Sequence, residues 1–206
     1  VGAYYWNNGD VYSGDWNQDK RTGKGTFIWA NGNKYEGDFI DSVGNGKGKY
    51  LPNPKNFKVE TDYYGNKKET INIISYEGDY VNNFWTGYGI AEYSNGDKYE
   101  GEWLNNIREG KGIYTYKSGD KVQGIWVYGK LEGKVKYISQ GKVYESTFKN
   151  DTILGDWILS SEVAKVESIN NFDFSKEDLY EFYCEQIKMT NPQRLFYFAA
   201  GRSEEH

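Results

Sequence analysis

Aromatic residues alternate with small or charged ones in a short phrase that returns six times along the chain. It reads Tyr12-Ser-Gly-Asp-Trp16, Tyr35-Glu-Gly-Asp-Phe39, Tyr76-Glu-Gly-Asp-Tyr80 and Tyr99-Glu-Gly-Glu-Trp103, then more weakly Val122-Gln-Gly-Ile-Trp126 and Tyr144-Glu-Ser-Thr-Phe148. A period of two suits pleated backbone, so each phrase predicts a β-strand. Starts lie 23 residues apart, with one step of 22 to Tyr144 and one of 41 from Tyr35 to Tyr76, a period plus an 18-residue insertion. Glycines follow the first four leading tyrosines at offsets 11 and 13: Gly23 and Gly25, Gly46 and Gly48, Gly87 and Gly89, Gly110 and Gly112. The fifth unit has Gly133 with Val135, and the sixth has Gly155 with Trp157. A second aromatic run comes next, such as Thr26-Phe-Ile-Trp29 or Ile113-Tyr-Thr-Tyr116, closed by Asn31-Gly32, Asn95-Gly96-Asp97 or Ser118-Gly119-Asp120. Asn-Gly and Ser-Gly-Asp supply the positive φ of tight turns, so each unit is predicted as one β-hairpin. Gly2 to Asp10 matches the second half of a unit, so the chain opens inside a repeat.

Taken together, these spaced features resemble the MORN repeat, the membrane occupation and recognition nexus family, over about residues 2 to 159. The units at 12, 35, 76 and 99 carry it most fully. The histidine that the family places before the glycine pair is replaced by Thr22, Asn45, Thr86 and Glu109. The resemblance implies an all-β repeat array, an elongated single antiparallel sheet of stacked MORN-type β-hairpins. It also implies a non-enzymatic scaffold that mediates protein–protein interaction in cytoskeletal or membrane-associated assemblies.

Physical chemistry points the same way. A lone hairpin is marginal in water, so hairpins must stack and line up their rings. Aromatic ladders then replace a globular core, which accounts for 18% aromatic residues at a mean hydropathy of -0.85. Glycines at fixed offsets mark positive φ or close backbone approach. Two strands per unit advance the array about 10 Å, which predicts a rod roughly 60 Å long.

The array is expected to occupy residues 1–159. Its insertion, about 51–75, carries Pro52 and Pro54 and predicts a second hairpin from 59–64 and 70–74, turning at Gly65-Asn66. Residues 160–206 are read as a linker and a short α-helical C-terminal extension. Ser175 is an N-cap there, and a helix to about Lys188 presents the stripe Leu179, Phe182, Tyr183 and Ile187, with Glu177, Glu181 and Glu185 on another face. A second short helix follows Asn191-Pro192 and stops at Gly201. The extension is read as a cap over its own array, as a dimerisation element giving a homodimer, or as a partner-binding helix. Rings exceed what a thin sheet can bury, so Trp16, Trp29, Tyr93, Trp103, Tyr116 and Trp126 are candidate anchors of a groove for a helical segment of a protein partner.

Charge and chemistry narrow the field. The net charge of -5 disfavours nucleic acid. Lys117, Lys121, Lys130, Lys134 and Lys136 form a candidate patch for weak binding of anionic lipid, so a peripheral phospholipid-binding module is the alternative reading. A carbohydrate-binding hairpin array is the second alternative. The only histidine is His206 and the only cysteine Cys184, which leaves no Ser-His-Asp, Cys-His or multi-histidine metal site, and no cofactor is expected. Asp15, Asp38, Asp79 and Glu102 recur at offset 3 and are read as structural or solvent-facing acids. Gly23-Lys-Gly25 is repeat grammar, not a phosphate loop. A single cysteine and the lack of a membrane span favour a cytoplasmic location, with cytoskeleton or membrane association as a further expectation.

Overall fold

The computed structural model describes residues 1–57, 60–61, 67–68 and 70–162. The chain divides into two units, Val1–Lys165 and Val166–His206, and the described residues all belong to the first. The predicted helices, with Leu179, Phe182, Tyr183 and Ile187, lie outside the described residues.

The strands are β1 (Gly2–Tyr5), β2 (Val11–Asn17), β3 (Lys20–Ile28), β4 (Lys34–Ile40), β5 (Val43–Leu51), β6 (Glu60–Thr61), β7 (Lys67–Lys68) and β8 (Ile73–Val81). There follow β9 (Phe84–Tyr93), β10 (Lys98–Leu104), β11 (Ile107–Thr115), β12 (Lys121–Val127), β13 (Lys130–Ser139), β14 (Lys142–Lys149), β15 (Thr152–Ile153) and β16 (Ile158–Glu162). Fourteen form one open antiparallel sheet, thirteen of them in chain order and β16 beside β14, with β6 and β7 paired apart from it. Each repeat is one hairpin, as the sequence predicts.

A row of facing glycines crosses the sheet. Gly2 opposes Gly14, which opposes Gly25, and the row continues through Gly37, Gly48, Gly78, Gly89, Gly101 and Gly112 to Gly124. The leading tyrosine of each unit lies over this row. A Cβ at Gly25 would run into the ring of Tyr12, and the Tyr12 hydroxyl donates to the Asp15 carbonyl at 3.0 Å. Tyr35, Tyr76 and Tyr99 repeat that bond to Asp38, Asp79 and Glu102. The second glycine of each pair is therefore needed for space. The first answers to the backbone instead. Gly46, at φ 98, lies where β5 carries two extra residues against β4, since Gly37 faces Gly48 while Phe39 faces Gly44. The acid at offset 3 closes this bulge by accepting the extra residue's N–H: Lys47 donates to Asp38 at 2.9 Å, Tyr88 to Asp79 at 2.9 Å and Lys111 to Glu102 at 3.2 Å. These acids are structural.

Two kinds of turn alternate. The predicted glycine turns join successive units, as where the Gly32 N–H donates to the Trp29 carbonyl. Inside each unit sits a tighter two-residue turn with both φ positive, at Gln18-Asp19, Asp41-Ser42, Asn82-Asn83, Asn105-Asn106, Tyr128-Gly129 and Asn150-Asp151, and Gln140-Gly141 between the last two units has the same form. The second residue ties the turn inside a unit to the unit before. Ser42, Asn83 and Asn106 donate backbone N–H groups to the carbonyls of Arg21, Gly44 and Trp85, and their side chains accept the N–H of the same three residues.

The insertion departs from expectation in one respect. A small hairpin does form, but its second strand is Lys67–Lys68, opposite Glu60–Thr61, and not residues 70–74. Ile73 and Ile74 belong to β8, because Ile73 pairs with Tyr93 in the main sheet. At the far edge the last strand is broken, with β15 and β16 both pairing β14, and Trp157 between them packs against Phe148 and Tyr137.

Candidate functional site

Alternation gives the sheet two unlike faces. One carries the leading tyrosines, the closing aromatics of each phrase and the rings of the second strands, packed edge to face as in Tyr12–Phe39 at 5.1 Å and Tyr99–Trp126 at 5.2 Å. Such pairs add about 0.5 to 1.5 kcal/mol each beyond the area they bury. The opposite face carries cross-strand ion pairs: Lys24–Asp38 and Lys47–Asp79, both at 2.6 Å, Lys49–Glu77 at 3.1 Å and Lys136–Glu145 at 3.9 Å. Exposed pairs of this kind are worth at most about 1 kcal/mol each.

All six candidate anchors lie on the aromatic face, with unequal access. Trp103 and Trp126 are buried, and Trp16 and Tyr93 pack against the core. The Trp103 indole also donates to the Gly89 carbonyl at 3.1 Å. Trp29 and Tyr116 are exposed. Of the five lysines, Lys121, Lys130, Lys134 and Lys136 alternate with Val122, Leu131, Val135 and Tyr137, which build or pack against the core, and so point to the charged face. Lys117 and Lys130 flank opposite ends of β12, a seven-residue strand about 23 Å long.

The aromatic face also holds positions that sequence reasoning passed over. At offset 9 of the first unit Arg21 lies among rings, its guanidinium carbon 4.7 Å from the centre of Phe27, 5.6 Å from Phe39 and 5.7 Å from both Trp6 and Tyr12. Its Nη2 donates to the Ser42 carbonyl at 2.7 Å. Burial lowers the Arg21 pKa, with Tyr12 and Asp10 pulling the other way. Arg108 repeats the arrangement in the fourth unit, over Tyr99 and Tyr114, with Nη2 donating to Gly129 at 2.9 Å. In the third unit Trp85 fills the place and stacks on Tyr76 at 4.1 Å. In the second the residue is Gly44, which leaves a cleft of about 530 Å³ whose border includes Trp29, Tyr35, Tyr50, Tyr80 and Trp85 and, from the first cage, Arg21 and Ser42. Burial is the main cause that raises the pKa of Tyr35 and Tyr80, so both hydroxyls stay protonated.

At the inter-unit edge Asp97 is a buried acid. It accepts from the Tyr114 hydroxyl at 2.6 Å, the Lys117 N–H at 2.8 Å and the Asn95 amide at 2.6 Å. Burial would raise its pKa, but these bonds together hold it below the ordinary value.

Among the described residues no group of acids, cysteines or histidines could hold a metal ion, and no helix is long and apolar enough to cross a membrane. The MORN-repeat family model matches residues 12–34, 35–53, 76–98, 99–121 and 123–139, which together exceed half of the chain. The chain belongs to the MORN-repeat family. The sixth unit, at Tyr144, falls outside those matches, in line with its broken outer strand. No curated protein matches this MORN array. Among solved structures, the TCP domain of SAS-4 (dCPAP) of Drosophila melanogaster, in complex with a proline-rich motif of Ana2 (dSTIL), is similar over 78% of this chain and 83% of that one, at 12% identity and a TM-score of 0.37.

Proposed function

We propose that this MORN array is a non-enzymatic scaffold for protein–protein interaction, and that its aromatic face receives an amphipathic helix of a partner. The observation that carries this reading is the cleft in the second unit, an opening of about 530 Å³ at the place that Arg21, Trp85 and Arg108 fill in the first, third and fourth units. Trp29 borders it and is exposed. A helix presents apolar residues at i, i+3, i+4 and i+7, which suits a line of rings and pockets. The opposite face carries cross-strand ion pairs instead.

Synthetic helical peptides with an apolar stripe provide the test. Binding should be lost on Trp29→Asp and should survive Lys47→Glu on the ion-paired face. Peptides that bind equally to both variants would place the partner surface elsewhere.

A further inference from the structure

The repeat supplies its own template for what the cleft accepts. Arg21 is held by the rings of Trp6, Tyr12, Phe27 and Phe39 and by the carbonyl of Ser42. One unit later each of those places is again aromatic, as Trp29, Tyr35, Tyr50 and Tyr80, and the carbonyl in the place of Ser42 belongs to Asn83. Four walls and the backbone acceptor are thus repeated around Gly44, while the arginine is not. The exposures agree with this opening: Tyr12, Tyr76 and Tyr99 are 0% exposed beneath Arg21, Trp85 and Arg108, whereas Tyr35 keeps 5%.

We propose that the cage over Tyr35 receives an arginine side chain of the partner protein, which completes from outside the arrangement that Arg21 and Arg108 complete from within. This deepens, and rests on, the assignment of the aromatic face as a partner surface. A guanidinium suits the site better than an ammonium, because a planar ion stacks between rings while its N–H groups reach a carbonyl in the plane. Arg21 borders the same cleft with its guanidinium held by the Ser42 carbonyl and its own four rings, so the incoming cation meets its repulsion as well as the attraction of the cage. Asn33 replaces Asp10 in this unit, so the attraction rests on rings and carbonyl and not on a carboxylate. Gly44 tolerates a side chain: its φ lies outside the left-handed region, and an added Cβ would meet Asn83 Oδ1 at 3.2 Å and the Tyr35 ring at 3.3 Å, which a small shift relieves.

The test uses the full chain and three short blocked peptides, identical except for a central arginine, citrulline or lysine, titrated while the ring protons of Tyr35, Tyr50 and Tyr80 are followed by NMR. The arginine peptide should shift those signals and bind about tenfold more tightly than the citrulline peptide, with lysine between them. Gly44→Arg should reduce arginine-peptide binding at least about tenfold and leave the melting temperature equal or higher, since the chain then supplies its own ligand. If that variant fails to fold, Trp29→Leu combined with Tyr50→Leu removes two walls and should weaken the arginine peptide by the same factor. Equal binding of arginine and citrulline peptides, no ring shift in the unaltered protein, or binding that survives both variants would overturn the proposal. A striped helical peptide without arginine separates the two ideas. Its binding beside a failed arginine peptide sinks the cage alone, and loss of both sinks the partner surface as well.

Discussion

Val122 and Val135 show what the tyrosine-over-glycine pair does, because the fifth unit has replaced both members. Val122 holds the place of Tyr99 and Val135 that of Gly112, and Val135, 1% exposed, packs beside Gly124 where the other units have a ring. Gly112→Val should therefore cost about 3 kcal/mol or more, since its side chain must displace the Tyr99 ring. Adding Tyr99→Val should return about 1 to 3 kcal/mol relative to the sum of the single changes. Thermal melts of the four proteins measure this, and strict additivity would show that ring and glycine do not compete for one volume. Asp97 gives a second test. Its folded pKa is depressed, so its contribution is present at neutral pH and is lost as pH falls below about 4 through the folded value. Asp97→Asn should cost about 1 to 3 kcal/mol at pH 7 and make the acid limb of the stability curve shallower. The sequence shows glycines in phase and offers two reasons for them, but not which glycine answers to which. That division depends on where a ring lies, and ring placement is a tertiary fact.

Within one hairpin, the glycine turns between units are legible as Asn-Gly or Ser-Gly-Asp. The turns inside units are not, because Gln18-Asp19, Asp41-Ser42 and Asn82-Asn83 share no letter pattern and are alike only in backbone angle. Non-glycine residues at positive φ carry strain of roughly 1 kcal/mol each. Replacing Gln18-Asp19 by Asn-Gly should consequently raise stability by about 1 kcal/mol, read as a higher urea midpoint with an unchanged slope. Asn106→Ala should act in the opposite sense, because the Trp85 N–H loses its side-chain acceptor. Offset 9 was equally opaque in the sequence. Arginine, glycine, tryptophan, arginine and leucine in one column look like tolerance of any residue, and only the shared cage gives the column a meaning.

At the scale of the described sheet, each hairpin touches only its neighbours, so protection should follow how many rings a unit shares on both sides. Amide exchange should be slowest in β8 to β11, around fully buried Tyr76, Ala91 and Tyr99. It should be fastest in β1 and in the interrupted pair β15 and β16. Uniform exchange across the sheet would mean that it opens as one body. The sheet itself was readable from the spacing of its phrases, while the unlike chemistry of its two faces needed the strand registers.

The row from Gly2 to Gly124 works as an index mark, and it makes the array count strands rather than residues. Twenty-five residues separate Tyr50 from Tyr76 where seven separate Phe27 from Tyr35, yet Gly48 meets Gly78 as squarely as Gly25 meets Gly37. Cutting the long connection to seven residues should change stability by no more than about 2 kcal/mol. A lineage carrying such a mark can gain or lose a whole copy, or splice foreign sequence between copies, without shifting any later strand out of phase. Copy number and inserted loops are then free to vary at a rate that point changes in the glycine row are not.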